Sequence, residues 1–344
     1  MAEIYKSFTP DDIVQGDIQT ISQPIWSENI NPLSASFTSG VGFFTSSAQV
    51  SQSGDYYVNV YHRNPQTDSN AQIQFSLAYG NSDGSGSIGD PNTVGQNVND
   101  TPSRAIYSQY RNILLPPTDT LFTFGANSSK EIIVINVARA RFRQKVDPGN
   151  WELRLGTGST FANWQTNYRS FIDSSGAGET PTINAAGRVF NILSGSGTVT
   201  SSTTVYGLFY PDQGVFIFDA GRLRSELGIP FNSASNVQAQ NHVSMSIRIS
   251  GSSYFAARSE ENVTSTHYFV RITNKQFNFS NNPTFVTGST GTFRFASMLR
   301  NPSVYVTTIG LYDDRNRLVA VAKLSRPLLK SFNREALVKV KLDY

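Results

Sequence analysis

The three histidines are the first residues to consider for chemistry, because histidine serves as a metal ligand and as a general base near neutral pH. They are His62, His242 and His267, and none lies within five positions of another. The sequence therefore carries no histidine motif with metal-ligand spacing. Each stands among β-type residues, which predicts a histidine on the face of a strand. The chain has no Cys, which excludes a thiolate metal site, a Cys nucleophile and a disulfide framework.

The serine, glycine and acidic patterns give no catalytic motif either. Residues 195–197 (GSG) lack the strand-to-helix turn that a nucleophile elbow needs. There is no phosphate loop and no dinucleotide fingerprint, and the acids near Asp83 are too few for a calcium loop. A catalytic pair of carboxylates remains possible, since the 25 acids can meet in space. A hydrolase of cell-surface polymers is therefore kept as an alternative, although it is the least favoured one because no catalytic motif supports it. We predict a non-enzymatic protein with no cofactor and no metal.

Composition narrows the class of protein further. Of 344 residues, 15% are charged and 12% aromatic, and the net charge is +3. This charge is too small for a protein that binds nucleic acid by general electrostatics. No apolar run approaches the ~18 residues of a membrane span, and residues 1–10 lack a secretion-signal pattern. We expect a protein that binds neither nucleic acid nor a membrane.

The elements that must position any site are mostly strands. Short apolar or alternating runs are separated by Gly, Pro, Asn, Asp and Ser, as strands joined by turns are. The predicted strands include 56–61, 73–77, 132–137, 215–218, 243–249, 268–272, 304–311, 318–324 and 336–342. Two short helices are predicted, over 219–228 with a Gly stop and over 101–110 with Thr101 as cap and Pro102 in the first turn. The fold class is all-β, with two or more sandwich- or barrel-like units.

Turn signals and composition suggest the division into domains. An N-terminal β domain spans 1–150, with an extended arm over about 1–40 that Pro10, Pro24 and Pro32 interrupt. A middle β domain, 151–300, begins after the turn signal 147–150 and could be inserted into the first. A hairpin segment, 301–344, could pair with the N-terminal domain. The polar stretch 80–100 reads as a surface loop between two strands or as a binding loop.

The C-terminal segment differs from the rest in charge. Residues 291–344 contain ten Lys and Arg and four acids, so they carry +6 while residues 1–290 carry −3. Such an asymmetry marks either a docking surface or the solvated face of strands, and the sequence leaves both open.

Two groups of strings resemble a known class of protein. The first group is 5–16 (YKSFTPDDIVQG), 53–57 (SGDYY), 105–115 (AIYSQYRNILL), 134–141 (VINVARAR) and 147–151 (DPGNW). These are similar to virion structural proteins of large contractile-tailed bacteriophages, including T4-like cyanophages. The second group is 305–314 (YVTTIGLYDD) and 318–324 (LVAVAKL), which resembles a hairpin of tail-fibre and baseplate proteins. The two stretches in which these strings lie, 5–151 and 305–324, cover about half of the chain, and 156–290 matches neither group.

The resemblance implies a structural subunit of the virion, in the tail baseplate or tail periphery, that assembles in the host bacterial cytoplasm. Its partners would be other virion proteins and copies of itself in a symmetric assembly. The candidate contact residues are Trp26, Phe43, Phe44, Arg315, Arg317, Lys339 and Lys341. One alternative is a receptor- or glycan-binding module of a tail fibre or spike, with Trp164, Tyr168 and Tyr206 as sugar-stacking residues. A second alternative is a structural or decoration protein of the head or neck.

Overall fold

The computed structural model describes residues 5–16, 18–34, 43–45, 57–84, 103–233, 241–288 and 291–344. Strands make up 47% and helices 18%, so the fold is all-β, as the sequence predicts. The chain forms two units. The terminal unit consists of residues 1–20 and 262–344, and the central unit consists of residues 21–261.

The central unit is built on one antiparallel sheet. The bounds of its strands are β2 Gln19–Pro24, β3 Phe44–Thr45, β4 Tyr57–Tyr61, β5 Ile73–Asn81, β8 Glu131–Val137, β9 Lys145–Gly156, β10 Tyr168–Asp173, β11 Thr182–Asn184, β12 Gly187–Ser196, β13 Val199–Tyr210, β14 Val215–Asp219 and β15 Phe255–Val263. In space these strands follow the order β2-β15-β9-β10-β12-β13-β14-β8-β5-β4-β3, and β11 lies beside β12. A separate hairpin joins β6 (Phe122–Phe124) to β7 (Asn127–Ser129).

This sheet is curled into a barrel-like unit around an aromatic core. Phe255 on β15 and Phe75 on β5 lie seven strands apart in the sheet, yet their ring centroids are only 5.3 Å apart. Trp151 on β9 likewise meets Phe216 on β14 at 4.7 Å. Such contacts require the two ends of the sheet to approach each other. The central strands β8 and β14 are buried on both faces, as the continuous apolar runs predict.

Three helices accompany this sheet: α1 (Ser103–Leu114), α2 (Ala220–Leu227) and α3 (Asn241–Ser252). The prediction of α2 is confirmed with its caps, because the Asp219 carboxylate accepts from the N–H groups of Gly221 and Arg222 and Gly228 ends the helix at φ +66°. A helix is also confirmed near 101–110, although Thr101 and Pro102 lie outside the described residues. The prediction of a strand over 243–249 is wrong.

The terminal unit contains three small sheets. The first sheet has three strands in the order β1-β16-β21, with β1 at Ile13–Gln15, β16 at Ser265–Ile272 and β21 at Ala336–Asp343. The second is the hairpin of β17 (Val286–Thr287) and β18 (Thr292–Phe293). The third is the hairpin of β19 (Val304–Tyr312) and β20 (Leu318–Lys330). A one-turn helix, α4 (Ser297–Arg300), precedes β19. Single turns of 3₁₀ helix occur along the chain, at Pro10–Asp12, Ser27–Asn29, Arg139–Arg141, Phe161–Asn163 and Ser174–Ala177.

The units differ from the domains expected at 1–150, 151–300 and 301–344. The turn signal 147–150 lies inside β9, where the Asp173 carboxylate accepts from the Gly149 N–H at 2.8 Å. The inserted segment is therefore the whole of 21–261. The C-terminal strand β21 does share a sheet with N-terminal residues, since β16 pairs with β1 on one side and with β21 on the other.

The described part of the expected arm, 1–40, is packed on its own chain. Residues of β1 pair with β16 and those of β2 lie beside β15. Ile25, Trp26 and Leu33 are at most 2% exposed and belong to the core of the central unit. The polar stretch 80–100 begins inside β5, and its residues 85–100 lie outside the described residues; the element that follows is the helix α1 rather than a strand.

Candidate functional site

The histidines occupy three different environments. His62 follows β4 and is buried beside Glu28, with 3.7 Å between Nε2 and Oε1. His267 lies on β16, as expected of a strand histidine. For His242 the expectation of a strand position is wrong, because this residue lies in the first turn of the helix α3. Within the described ranges, no three His, Asp or Glu side chains are grouped so as to hold a metal ion.

Buried His242 makes folding depend on pH. The side chain is 2% exposed, its Nε2 has no hydrogen-bond partner among the described residues, and burial lowers its pKa to about 4. The unfolded chain binds a proton near pH 6.5, which the folded chain does not bind until about pH 4. The contribution of His242 to the free energy of unfolding is therefore fully present above pH 6.5 and is lost as the pH falls from 6.5 to about 4.

We expect this histidine to remove about 3 kcal/mol of stability between pH 7 and pH 4. The measurement is urea unfolding followed by tryptophan fluorescence at several pH values. Because carboxylates also titrate in this range, the quantity to compare is the difference between the wild-type chain and His242→Gln. That difference should shrink as the pH falls, and parallel pH curves would contradict the buried neutral histidine.

The aromatic candidates for subunit contacts differ in how deeply they are buried. Trp26 is 2% exposed, and its Nε1 donates to the Phe255 carbonyl at 2.7 Å. Phe43 is half-buried against the core and lies 6.4 Å from the Phe75 ring. The Phe44 backbone pairs with Tyr61 in the sheet, but its side chain lies outside the described residues. The structure thus corrects Trp26 as a surface contact, because the core encloses it. Phe43 keeps part of its surface exposed, so its role in a contact stays a prediction.

The four basic candidates are all exposed and all belong to the terminal unit. Arg315 and Arg317 lie in the β19–β20 turn, where Arg317 pairs with Asp313 at 2.7 Å. On β21, Lys341 pairs with Asp343 at 3.0 Å, and the ammonium of Lys339 lies 5.9 Å from the Phe269 ring centroid. These residues are accessible to a partner.

The three proposed sugar-stacking residues do not form one exposed platform. Trp164 and Tyr206 are only 5% and 3% exposed. The Tyr206 hydroxyl accepts from Arg169 at 2.6 Å and donates to Glu226. Tyr168 is exposed, but the Arg154 guanidinium lies over its ring at 4.6 Å. The structure therefore corrects Trp164 and Tyr206 as stacking residues.

Exposed apolar side chains are concentrated on the terminal unit. This unit has 103 of the 344 residues, yet it carries 15 of the 23 exposed large apolar side chains of the described chain. Its two apolar clusters are small, with three fully buried residues each. The central unit has the opposite character, since its main cluster alone has 32 buried residues. Exposed apolar side chains that concentrate on one part of a protein and form a contiguous patch mark an interaction site, so this unit is the place to look for one.

The β19–β20 hairpin provides much of that surface. Its inner face, with Ile309, Leu311, Ala320 and Ala322, packs against β16 and β21. The outer face and the turn expose five large apolar side chains: Tyr305, Tyr312, Leu318, Val319 and Val321. A groove of about 1000 Å³ runs beside β19, between this strand, β16 and residues 5–13. The hairpin therefore offers an apolar face and borders a groove that it shares with β16 and residues 5–13.

Charge reinforces the difference between the two units. The terminal unit contains 13 Lys and Arg and eight acids, a net +5, whereas the central unit carries −2. The six-charge excess predicted for 291–344 thus lies on the unit with the exposed apolar surface. The candidate functional site is this surface of the terminal unit, where exposed apolar side chains and excess positive charge coincide.

Comparison of the chain with protein-family models, with curated proteins and with solved structures gave no match. Within the described residues, every helix is too short or too polar to cross a lipid bilayer.

Proposed function

We propose that this chain is a non-enzymatic structural subunit of a bacteriophage virion, placed in the tail baseplate or tail periphery. The terminal unit joins it to other virion proteins and to copies of itself. The resemblance of the strings within 5–151, and of 305–314 and 318–324, to virion proteins supports the class of protein. The observation that carries the proposal is the concentration of exposed apolar side chains on the terminal unit.

The physical reason is the small core of the terminal unit. A two-stranded hairpin is marginally stable in water on its own, and it gains stability when a neighbour covers its open face and edges. Val319 and Val321 are 66% and 58% exposed on β20. Burying such side chains in an interface contributes about 25 cal/mol for each Å² of apolar surface removed from water. The unit is therefore stabilised by assembly, as a subunit of a particle would be.

The basic character of the same unit favours acidic partner surfaces. Arg315, Lys323 and Arg326 are exposed on the β19–β20 hairpin, and none of them forms an ion pair within the described residues. Opposite charges on a neighbouring subunit would guide the encounter and fix the orientation of the contact. Of the two interpretations of the excess positive charge in 291–344, this favours a docking surface over a solvated strand face.

The test is the composition and structure of purified particles of the phage that encodes the chain. Mass spectrometry should find the chain in gradient-purified particles in fixed stoichiometry, and electron cryomicroscopy should place its terminal unit against neighbouring subunits at the tail end. A chain found in the lysate but absent from purified particles would overturn the proposal. Density in the head or neck would move the subunit to the second alternative location, and an outward-pointing central unit with a free terminal unit would favour the receptor-binding alternative.

A further inference from the structure

The outer edge of β19 is an unusual strand edge. Strand β19 (VYVTTIGLY) has nine residues with no charge and no proline. It pairs with β20 on one side, and no strand of the described chain pairs with it on the other. Natural proteins normally protect a strand edge with lysine, proline, a bulge or a covering element. The register of β19 with β20 shifts after Val306 and after Leu311, but the strand has neither lysine nor proline. An uncharged edge rich in Val, Thr, Ile and Tyr is suited to receive another strand.

The sequence of β19 is complementary to itself in the antiparallel direction. If Thr307 lies opposite Thr308 of a second copy, the two-fold axis passes between these residues. Val306 then faces Ile309, Val304 faces Leu311, and Tyr305 faces Gly310. Thr–Thr and branched aliphatic pairs are favourable across antiparallel strands. The Tyr305–Gly310 pair adds no such contact, because the Tyr312 ring and Leu318 of the same chain already flank Gly310.

The burial pattern of β19 fits the same symmetry. A two-fold axis perpendicular to a sheet keeps each residue on its own face, so paired residues must share a face. In β19 the inward residues are Val304, Val306, Ile309 and Leu311. The outward residues at the centre are Tyr305, Thr307, Thr308 and Gly310. The alternation changes phase between Thr307 and Thr308, where the register with β20 also shifts, and every pair of the proposed register therefore lies on one face.

The groove beside β19 has room for such a strand. A residue of a strand in a layered sheet occupies roughly 160 Å³, from a rise of ~3.3 Å, a strand spacing of ~4.8 Å and a layer thickness of ~10 Å. The groove of about 1000 Å³ thus accommodates roughly six residues. Six residues, 305–310, form the three innermost pairs of the self-complementary register.

The charges favour a second copy over an unrelated strand at this edge. Terminal units with a net +5 repel each other in general, but the exposed cations of the hairpin are in β20 and in the turn. In a four-stranded sheet of order β20-β19-β19-β20, Lys323 and Arg326 lie on the outer strands, and the central contact is uncharged. Strand β21 is different, because Lys339 and Lys341 would oppose like charges if its edge paired with itself.

We propose that two copies of this chain associate through antiparallel pairing of their β19 strands about Thr307 and Thr308, each strand lying in the groove of the other copy. The pairing rests on the proposed function, since it names one partner of the terminal unit. It gives the subunit a two-fold contact and leaves the outer face of β20 for other virion proteins.

Cysteine cross-linking tests the register, because the chain has no cysteine of its own. Thr307→Cys and Thr308→Cys chains should form a disulfide-linked dimer when they are mixed and oxidised, and much less when each is oxidised alone. Ser325→Cys, at an exposed position of β20, is the matched control and should not cross-link with either. A mixture of the two β19 variants that stays uncross-linked would overturn the proposed pairing.

A charge variant tests the interface without a cysteine. Thr307→Lys places like charges at the centre of the pairing, and the dimer should weaken by roughly tenfold or more in sedimentation velocity. Ser325→Lys adds the same charge on β20 and should leave the association unchanged. Both positions are exposed, and circular dichroism would verify that each variant folds. A wild-type chain that is monomeric at every concentration, or a dimer indifferent to Thr307→Lys, would overturn the pairing.

The pairing and the proposed function can fail separately. A chain present in purified particles whose Thr307→Cys and Thr308→Cys variants do not cross-link would overturn only the β19 pairing. A chain that dimerises through β19 but is absent from particles would overturn only the virion role.

Discussion

Replacing Arg248 with methionine is expected to lower the free energy of unfolding of the central unit by about 4 kcal/mol. Arg248 lies on α3 and is 4% exposed. Its Nη1 donates to the carbonyls of Gly156 and Gly158 at 3.0 and 2.6 Å, and its Nη2 donates to the carbonyl of Gly228 at 2.8 Å. One guanidinium thus joins α3 to the ends of β9 and α2.

The large effect comes from the groups that the substitution leaves behind. Methionine fills most of the volume of the arginine stem but has no hydrogen to donate. Three carbonyl oxygens would lose a charged donor, and a hydrogen bond to a charged group contributes about 1.5–3 kcal/mol. The Gly156 carbonyl is the most costly to leave unpaired because its bond to Arg248 is buried, whereas Gly158 and Gly228 are exposed residues. The Arg248 guanidinium also lies 4.1 Å from the Trp164 ring centroid, so a cation–π contact is lost as well. Burial lowers the pKa of Arg248, and the three carbonyls offset the cost of holding the charge.

Urea unfolding followed by tryptophan fluorescence measures this effect, because Trp26, Trp151 and Trp164 all belong to the central unit. Arg143→Met is the matched control. Arg143 is mostly exposed and pairs with Glu261 at 3.3 Å, so its loss should change stability by less than about 0.5 kcal/mol. Arg248→Lys should lie between the two, since an ammonium cannot reproduce the planar fork. Equal effects of Arg248→Met and Arg143→Met would contradict the role of the buried guanidinium.

The elements that the sequence predicts correctly are those with local signals. The apolar run 132–137 lies in the doubly buried strand β8. The helix α2 is marked at both ends, by Asp219 as cap and by Gly228 as stop. The β19–β20 hairpin is marked by the polar turn 313–316 between two apolar runs, and Asn316 adopts a positive φ there. In each case neighbouring residues carry the information, so long-range contacts are not needed to find the element.

The helix α3 shows where local signals mislead. Val243, Met245, Ile247 and Ile249 alternate with polar residues, which is the pattern of a strand. In the structure, buried residues recur at helical spacing, at His242, Met245, Ile249 and Ser252, while Ile247 is 45% exposed. The buried face includes Arg248, whose partners are carbonyls of distant segments. Only the tertiary environment makes this helix stable, and no window of the sequence reports it.

The candidate surface could be predicted in part. The excess of basic residues in 291–344 and the exposed arginines of the hairpin turn follow from the sequence. An insertion and a pairing of the C-terminal segment with N-terminal residues were expected from the sequence, but the bounds 21–261 were not, because they depend on which distant strands pair with β16. The open edge of β19 is a second feature that the sequence alone does not reveal. Its signal was present as the uncharged, nearly palindromic run 304–311, but the significance of that run depends on knowing that no described strand covers it.

Trp26 provides the clearest distinction between a core residue and a contact residue, and its replacement by alanine is the second large effect that we expect. The ring lies 4.9 Å from Phe255 and 5.8 Å from Phe75, measured between centroids. Phe255 and Phe75 come from opposite ends of the curled sheet, and the Trp26 indole packs against both. Trp26→Ala should lower the free energy of unfolding of the central unit by about 4 kcal/mol, from lost apolar burial and the cavity left behind.

Two matched variants separate the contributions of Trp26. Trp26→Phe keeps most of the packing but removes the hydrogen bond from Nε1 to the Phe255 carbonyl, so it should cost about 1–2 kcal/mol. Ile183→Ala removes a side chain that is 78% exposed on β11 and should change stability by less than about 0.5 kcal/mol. Because Trp26 belongs to the core rather than to a subunit contact, dimerisation measured under folding conditions should be the same for the wild-type chain and for Trp26→Phe. A Trp26→Ala chain that is as stable as the wild type but defective in association would instead show that Trp26 contacts another subunit.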